Sequence, residues 1–333
     1  MLRDKMRINS YTARMFSAII KRLLTENQVL VILLGVILGI TLPSQLNFIN
    51  AYSTQLLILV FFFSSLRLSL DEVVGYAKDW RMTLFASIYM LIVMPFALFF
   101  SASFLPTEWS VALLILGAMP TGTTIALMAE FFGGKTSLAL VITTITSLLA
   151  PLTIPFVSKV AIGTTVEIDT ARMFISLFLT IVAPFALGVL VQKAVPKQVK
   201  KRDALWRNIS VIAFGFLITG IVADSAGEGI TFTLTDGGIM LFAMALLGAL
   251  TWGGYYIATW RQPSERVTIA LCMLYMNNTL ALFVGDKFFR ELGIVPKQVL
   301  LLLVVNALLP AVKIAAQHVT QKPKKSFLSF ARR

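Results

Sequence analysis

Two apolar stretches, about half a chain apart, carry the same kind of interruption. The first reads Met119-Pro-Thr-Gly-Thr-Thr-Ile-Ala-Leu127 and the second reads Tyr275-Met-Asn-Asn-Thr-Leu-Ala-Leu282. Their second parts are near copies that lie 155 residues apart in a chain of 333. Backbone at membrane depth can leave the helix only where protein or a water-filled cavity satisfies its N–H and C=O groups. The pair therefore predicts two broken helices at corresponding places of a repeated fold.

Composition places the chain in a bilayer. Hydrophobic residues make up 57% of it and charged residues 14%, whereas soluble domains are about one quarter charged. A helix of about 20 apolar residues crosses the hydrocarbon core, and ten candidate spans occur at approximately 28–42, 51–68, 82–104, 109–132, 137–160, 173–191, 209–223, 238–260, 267–283 and 299–316. We expect an all-α polytopic membrane protein with ten transmembrane helices, of which the fourth and ninth are broken.

The 155-residue offset also fits the map of spans, because it carries spans two to five onto spans seven to ten. Five spans per half is an odd number, so the second half must enter the membrane with the opposite orientation, as an inverted repeat. The expected parts are a basic segment 1–26, a first repeat 27–161, a second repeat 173–316 and a basic tail 317–333. A further match, between 94–98 and 183–187, does not fit the offset and is interpreted as coincidence.

Basic residues set the expected orientation. The connections 43–50, 105–108 and 224–236 contain no Lys or Arg, whereas that after span six contains six. This pattern places both termini in the cytoplasm, and we expect a bacterial inner membrane; only Lys287, Arg290 and Lys297 depart from it. The net charge of +13 is concentrated at the termini, which predicts contact with anionic lipids rather than nucleic acid.

The interruptions hold the polar groups best placed to bind a ligand. Pro120 and a following glycine favour leaving the helix, and a half-helix that starts near Thr123 would point its positive end at an anion. Paired amides inside a membrane helix are costly unless they have partners. The candidate substrate-binding residues are Thr121, Gly122, Thr123, Thr124, Asn277, Asn278 and Thr279. A proline kink and interhelical hydrogen bonding remain as purely structural alternatives.

Other chemistry is sparse. A single cysteine, Cys272, and a single histidine, His318, exclude a disulfide framework, a histidine-based metal cluster and a catalytic triad within the chain. We therefore expect neither an enzyme nor a resident cofactor or metal. Thr143 and Asn277 are candidates for a residual ion site. Glu130 is a candidate for proton coupling, although an interfacial charge is the commoner role.

Longer motifs carry a family resemblance. Pro120-Thr-Gly-Thr-Thr, Gly134 and Thr143-Thr-Ile-Thr-Ser-Leu-Leu-Ala-Pro151 resemble the signature of the bile acid:sodium symporter family, and residues 63–70 are similar to its motif after the second helix. The resemblance implies a panel and a core domain, with helices four and nine crossing at their breaks. It also implies a cavity for organic anions that opens to one side at a time.

Most of the residues that hold sodium in that family are replaced here, although its threonine in span five is kept as Thr143. The corresponding positions carry Met90, Ile125, Ala126, Ala139 and the Cys272–Met273 pair. Because these side chains offer sodium no oxygen, we predict that ligand binding does not require it. Apolar packing would fill the ion positions, and Thr143, Asn277 and Thr279 would bond to the interrupted backbone. The alternative is that backbone carbonyls, with Thr143 and Asn277, still form one ion site.

Taken together, these features predict a secondary transporter of a small or amphipathic organic anion that works by alternating access. The alternative is a non-transporting membrane ligand-binding protein or sensor on the same scaffold. The substrate, the direction of transport, any coupling ion and the oligomeric state are left open by the residues.

Overall fold

The computed structural model describes residues 28–66, 80–122, 125–164, 166–227, 229 and 233–320, so the predicted segment 1–26 and most of the tail lie outside it. Among the described residues, helices dominate and the β contact is a single bridge between Thr121 and Met276. The helices used below are α1 Gln28–Thr41, α2 Pro43–Ser65, α3 Arg81–Ser101, α4 Thr107–Gly117, α5 Ile125–Phe131, α6 Thr136–Ile162, α7 Thr170–Ala194, α8 Asp203–Gly227, α9 Leu234–Ile257, α10 Pro263–Leu274, α11 Asn278–Phe288 and α12 Ile294–Thr320.

Within these ranges, seven helices are long and apolar enough to cross a membrane, namely α2, α3, α6, α7, α8, α9 and α12. The 27 residues of α12 reach about 40 Å at about 1.5 Å per residue, which exceeds a hydrocarbon core of about 30 Å. Large apolar side chains such as Leu152 and Phe156 lie exposed on the surface of α6. The protein is thus a polytopic helical membrane protein.

Both interrupted stretches are broken where the sequence predicts it. α4 ends at Gly117 and α5 begins at Ile125, while α10 ends at Leu274 and α11 begins at Asn278. The seventh predicted span, 209–223, is longer than expected, because α8 has 25 residues and includes the polar turn that follows Asp203.

The helices pack as two groups. α8 lies against α1 and α2, and α2 also packs on α7; we call these four helices the panel. Small residues allow close approach between membrane helices, and a Cβ added to Gly188 of α7 would lie 1.9 Å from Ser65 Oγ of α2. In the second group α4 contacts α3 and α12, α5 contacts α6, and α9 contacts α10. We call α3–α6 with α9–α12 the core bundle.

Two helices contain the same local irregularity. A π turn occupies Tyr89–Val93 in α3 and another occupies Phe178–Val182 in α7. Each is followed two residues later by a proline, Pro95 or Pro184, and proline cannot donate the hydrogen bond that a regular α-helix requires. The match between 94–98 and 183–187 therefore corresponds to a shared backbone conformation, outside the 155-residue offset.

The departure from the charge pattern has a structural explanation at one end of the molecule, which we call the Asp286 end. Lys297 Nζ lies 2.8 Å from Asp236 Oδ1, and Arg290 pairs with both Asp224 and Asp286. The cations at this end therefore lie beside carboxylates. At the opposite end, the Lys135 end, a turn between α5 and α6 contacts the start of α10.

Candidate functional site

The two broken helices meet at their breaks. Gly122 N–H donates to Tyr275 O at 2.8 Å, and Asn277 N–H donates to Pro120 O at 2.8 Å. These reciprocal bonds form the antiparallel bridge between Thr121 and Met276. Residues 118–122 and 275–278, which we call the crossover, thus satisfy part of each other's non-helical backbone, as buried backbone requires.

Local sequence explains why the chain takes this path. Pro120 has no N–H to donate, so α4 cannot continue regularly through it. A Cβ added to Gly122 would lie 2.9 Å from two ring carbons of Tyr275, which means that only glycine permits this approach of the strands. On the other side, Asn277 caps α11, because its Oδ1 accepts from Leu280 N–H at 3.1 Å.

Threonine hydroxyls connect the crossover to α6. Thr121 Oγ1 donates to Thr143 Oγ1 at 2.8 Å, and Thr143 Oγ1 donates to Ala139 O at 2.8 Å. The expectation that Thr143 bonds to interrupted backbone is wrong, since its partners are a side chain and its own helix. The same expectation is confirmed for Asn277. It is wrong for Thr279, whose Oγ1 makes no hydrogen bond within the part of the chain that the structure describes.

The structure brings most of the predicted binding residues together in a closed arrangement. Thr121, Gly122, Asn277 and Thr279 are buried, and Asn278 is partly exposed. Thr123 and Thr124 lie outside the described residues. Of two cavities described among these residues, one is a small groove between α9, α10 and α12 and the other lies at the Asp286 end. Neither is lined by the described residues of the crossover.

The positions aligned with the family's sodium ligands lie in the interior. Met90, Ile125, Ala139, Cys272 and Met273 are all essentially inaccessible, and Ala126 is half-buried. The described part of the chain contains no group of three or more His, Cys, Asp or Glu that could hold a metal.

The two candidates for a residual ion site have protein partners. Thr143 Oγ1 accepts from Thr121 and donates to a helix carbonyl, and Asn277 Oδ1 caps α11. An ion placed there would have to replace or share these bonds. Glu130, the candidate for proton coupling, is exposed at the end of α5, toward the Lys135 end and away from the crossover.

Two networks of charged side chains were not predicted from the sequence. At the Lys135 end, Lys135 Nζ lies 2.8 Å from Glu265 Oε1, and Lys135 N–H donates to Thr268 Oγ1 at 2.7 Å. At the other end, Arg290 occupies a similar place after α11. Lys135 and Arg290 lie 155 residues apart, so the 155-residue offset between the two interrupted stretches was a signal that could have identified both.

Comparisons of the sequence with known proteins find membrane transporters. A family model described as SBF-like CPA transporter family (DUF4137) matches residues 26–285. A Bacillus subtilis (strain 168) protein named uncharacterized sodium-dependent transporter YocS is 25% identical over 272 residues, which cover 79% of this chain and 82% of that protein. The probable sodium/metabolite cotransporter BASS4, chloroplastic, of Arabidopsis thaliana is 31% identical over 140 residues, or 40% of this chain and 32% of the plant protein.

A further plant relative is matched over a longer segment. The probable sodium/metabolite cotransporter BASS2, chloroplastic, of Oryza sativa subsp. japonica is 24% identical over 183 residues, which cover 54% of this chain and 42% of that protein. The chain therefore spans less than half of these plant proteins and most of the bacterial one.

Proposed function

Because this chain belongs to the SBF-like CPA transporter family, we propose that it carries a small organic anion across the membrane by alternating access. The family and its transporter relatives make it a membrane secondary transporter. The proposals of an anionic substrate and of alternating access are supported mainly by one observation. This observation is the buried crossover, at which the two helix breaks form reciprocal hydrogen bonds. Broken helices that meet inside a helical bundle are where such carriers bind their substrates.

The proposed architecture is a five-plus-five inverted repeat. If α4–α5 and α10–α11 each count as one interrupted span, the helices α1 to α12 make ten crossings. The two second half-helices then run from the crossover toward opposite ends, α5 to the Lys135 end and α11 to the Asp286 end. By the charge rule the Lys135 end is cytoplasmic.

An anion is favoured by the groups around the start of α11. This helix begins at Asn278, directly beside the crossover, and the N-terminal end of a helix carries a partial positive charge. Asn278 is partly exposed, and the hydroxyl of Thr279 has no hydrogen-bond partner among the residues that the structure describes. Amide and hydroxyl groups of this kind can donate to a carboxylate or a sulfonate once the site opens.

Proteoliposome counterflow tests the transport function directly. The probe is a radiolabelled carboxylate or sulfonate chosen by a thermal-shift screen of organic anions on the purified full-length protein. We expect saturable counterflow that the unlabelled anion competes away. Saturable binding of the same anion without any flux would instead identify the non-transporting sensor.

We also propose that binding needs no sodium, although two kinds of relative have sodium in their printed names. The support is the apolar lining of the aligned positions and the protein partners of Thr143 and Asn277. The test is a titration of the same anion in sodium and in choline at fixed ionic strength. Equal dissociation constants are expected, and a tenfold gain in sodium, about 1.4 kcal/mol of coupling, would overturn the proposal.

A further inference from the structure

Polar side chains join the panel to the core bundle at the Asp286 end. Asn50 Nδ2 donates to Asp224 Oδ2 at 2.7 Å within the panel and to Asp286 Oδ2 of α11 at 3.1 Å. Arg290 pairs with Asp224 across the boundary and with Asp286 at 3.3 Å. Lys287 adds a further link between the groups. We call this set the latch; it comprises Asn50, Thr54 and Asp224 of the panel and Asp286, Lys287 and Arg290 of the core bundle.

A cavity of about 320 Å³ lies against the latch. Ser225 and Gly229 of the panel side line it, and Glu108 and Lys297 line it from the core bundle. Asp286 and the neighbouring arginine belong both to the cavity wall and to the latch. The cavity thus spans the boundary between the two groups and adjoins the contacts that hold them together.

The latch also lies above the crossover along α11. Lys287 Nζ donates to Thr54 Oγ1 at 3.1 Å and lies 5.1 Å from the ring centroid of Phe283. Thr279 is seven residues before Asp286, so it lies on the same face of the helix, about 10 Å deeper. Thr279 is 2% exposed, and its hydroxyl has no hydrogen-bond partner among the described residues. Separating the panel from the core bundle here would extend the cavity toward that hydroxyl.

The exposure of the latch distinguishes it from a permanent contact. The side chains of Arg290 and Asp224 are 40% and 24% exposed, so water screens their attraction and the pair contributes little fixed stability. Lys297 and Asp236, which pair within the core bundle, are 13% and 7% exposed, and Trp109 Nε1 also donates to the same carboxylate. The exposed pair of Arg290 and Asp224 can therefore break and re-form readily, while the buried pair of Lys297 and Asp236 holds its helices together.

We propose that the latch is a gate, which closes the Asp286 end in this conformation and breaks when the panel and the core bundle separate. The inference rests on the proposed alternating-access function. It assigns the closing role to particular contacts, and it predicts that weakening them exposes the face of α11 that leads from the cavity to the crossover.

Thiol accessibility tests the gate without requiring transport. Cys272, the only cysteine, is replaced by Ala, and Thr279→Cys supplies a probe for a membrane-impermeant maleimide applied from the Asp286 end in oriented vesicles. The latch variant carries Asp224→Asn with Arg290→Gln. The labelling rate of the cysteine at position 279 is proportional to the population of the open conformation. We therefore expect this rate to rise about tenfold in the latch variant.

A matched control separates gating from general loosening. Asp236→Asn with Lys297→Gln removes an ion pair at the same end but within the core bundle, and labelling should stay close to that of the parent. An unchanged rate in the latch variant, or an equal rise in the control, would overturn the proposal. If the double latch variant does not fold, Asn50→Ala removes the bridging amide while keeping every charge, and it should give a smaller rise. The experiment measures the accessibility of a thiol and does not require transport. An absence of counterflow would therefore refute the transport function without affecting the interpretation of the labelling rates.

Discussion

The most direct perturbation of the crossover is one methyl group at Gly122. The Cβ of alanine would lie 2.9 Å from Tyr275 Cδ1 and Cε1 and 3.3 Å from Tyr275 O, well inside ordinary contact distance. The tyrosine is buried, so relief must come from lengthening the 2.8 Å bond between Gly122 N–H and Tyr275 O. Forcing a methyl group into a packed interior costs about 1–3 kcal/mol of folding stability. Because the strain at Gly122 falls on the crossover, which is the proposed binding site, we expect Gly122→Ala to slow counterflow at least about tenfold, as a loss of about 1.4 kcal/mol in binding would.

The assay compares initial counterflow rates per folded protein, with thermal midpoints measured on the same samples. Gly117→Ala is the matched control. Gly117 is the last residue of α4, outside the crossover, and its Cβ would lie 2.8 Å from both Leu98 Cδ1 and Pro95 Cα of α3. It should lower the thermal midpoint comparably and leave the rate per folded molecule near that of the parent. Gly248→Ala, which meets no atom within 4 Å, should change neither. Full activity in Gly122→Ala, or equal losses in both tight variants, would refute the reasoning.

The cap of α11 gives a second test. Asn277→Ala should lower the free energy of unfolding by about 1 kcal/mol, whereas Asn277→Asp keeps an oxygen that accepts from Leu280 N–H and should lower it less. An equal loss of stability in both variants would contradict the role of Asn277 as the helix cap. Thr121→Val and Thr143→Val should show a coupling energy of about 0.5–1.5 kcal/mol in a double-mutant cycle of unfolding. If the two effects were strictly additive, the hydrogen bond between these threonines would contribute nothing to stability. Glu265→Gln should destabilise by about 1–2 kcal/mol, because it removes the charge of a largely buried carboxylate that pairs with both Lys135 and Arg261. An unchanged urea or heat midpoint would show that solvent screens this network fully.

Local signals explain what could be predicted from the sequence. Pro120 and Gly122 end a regular helix by their own covalent structure, so the first break is visible without tertiary information. Apolar length locates the spans in the same way. The start of α8 was missed because hydropathy discards the polar turn after Asp203, although that turn continues the helix beyond the apolar stretch.

Contacts between distant residues could not be read from one chain. The crossover depends on Pro120 and Asn277 meeting across 157 positions, and no local pattern states which backbone groups pair. Thr143 lies beside the first break, but its choice of a side-chain partner depends on how α6 is rotated against the crossover. The charges of the latch were visible as an exception to the orientation rule, and only their carboxylate partners explain the exception.

The two polar regions differ in a way that bears on which contacts a conformational change can break. Every described bond of the crossover lies within the core bundle, where Thr121 and Asn277 are buried, and leaving a buried donor or acceptor unpaired costs about 1–3 kcal/mol. The bonds that cross to the panel at Arg290 and Lys287 involve partly exposed side chains, whose pairing contributes about 0–1 kcal/mol. A motion that separates the panel from the core bundle at this end therefore breaks these weak ion pairs, together with the partly buried bond between Asn50 and Asp286, and leaves the buried bonds of the crossover intact. In the proposed alternating-access cycle, the crossover would therefore move as one unit with the core bundle.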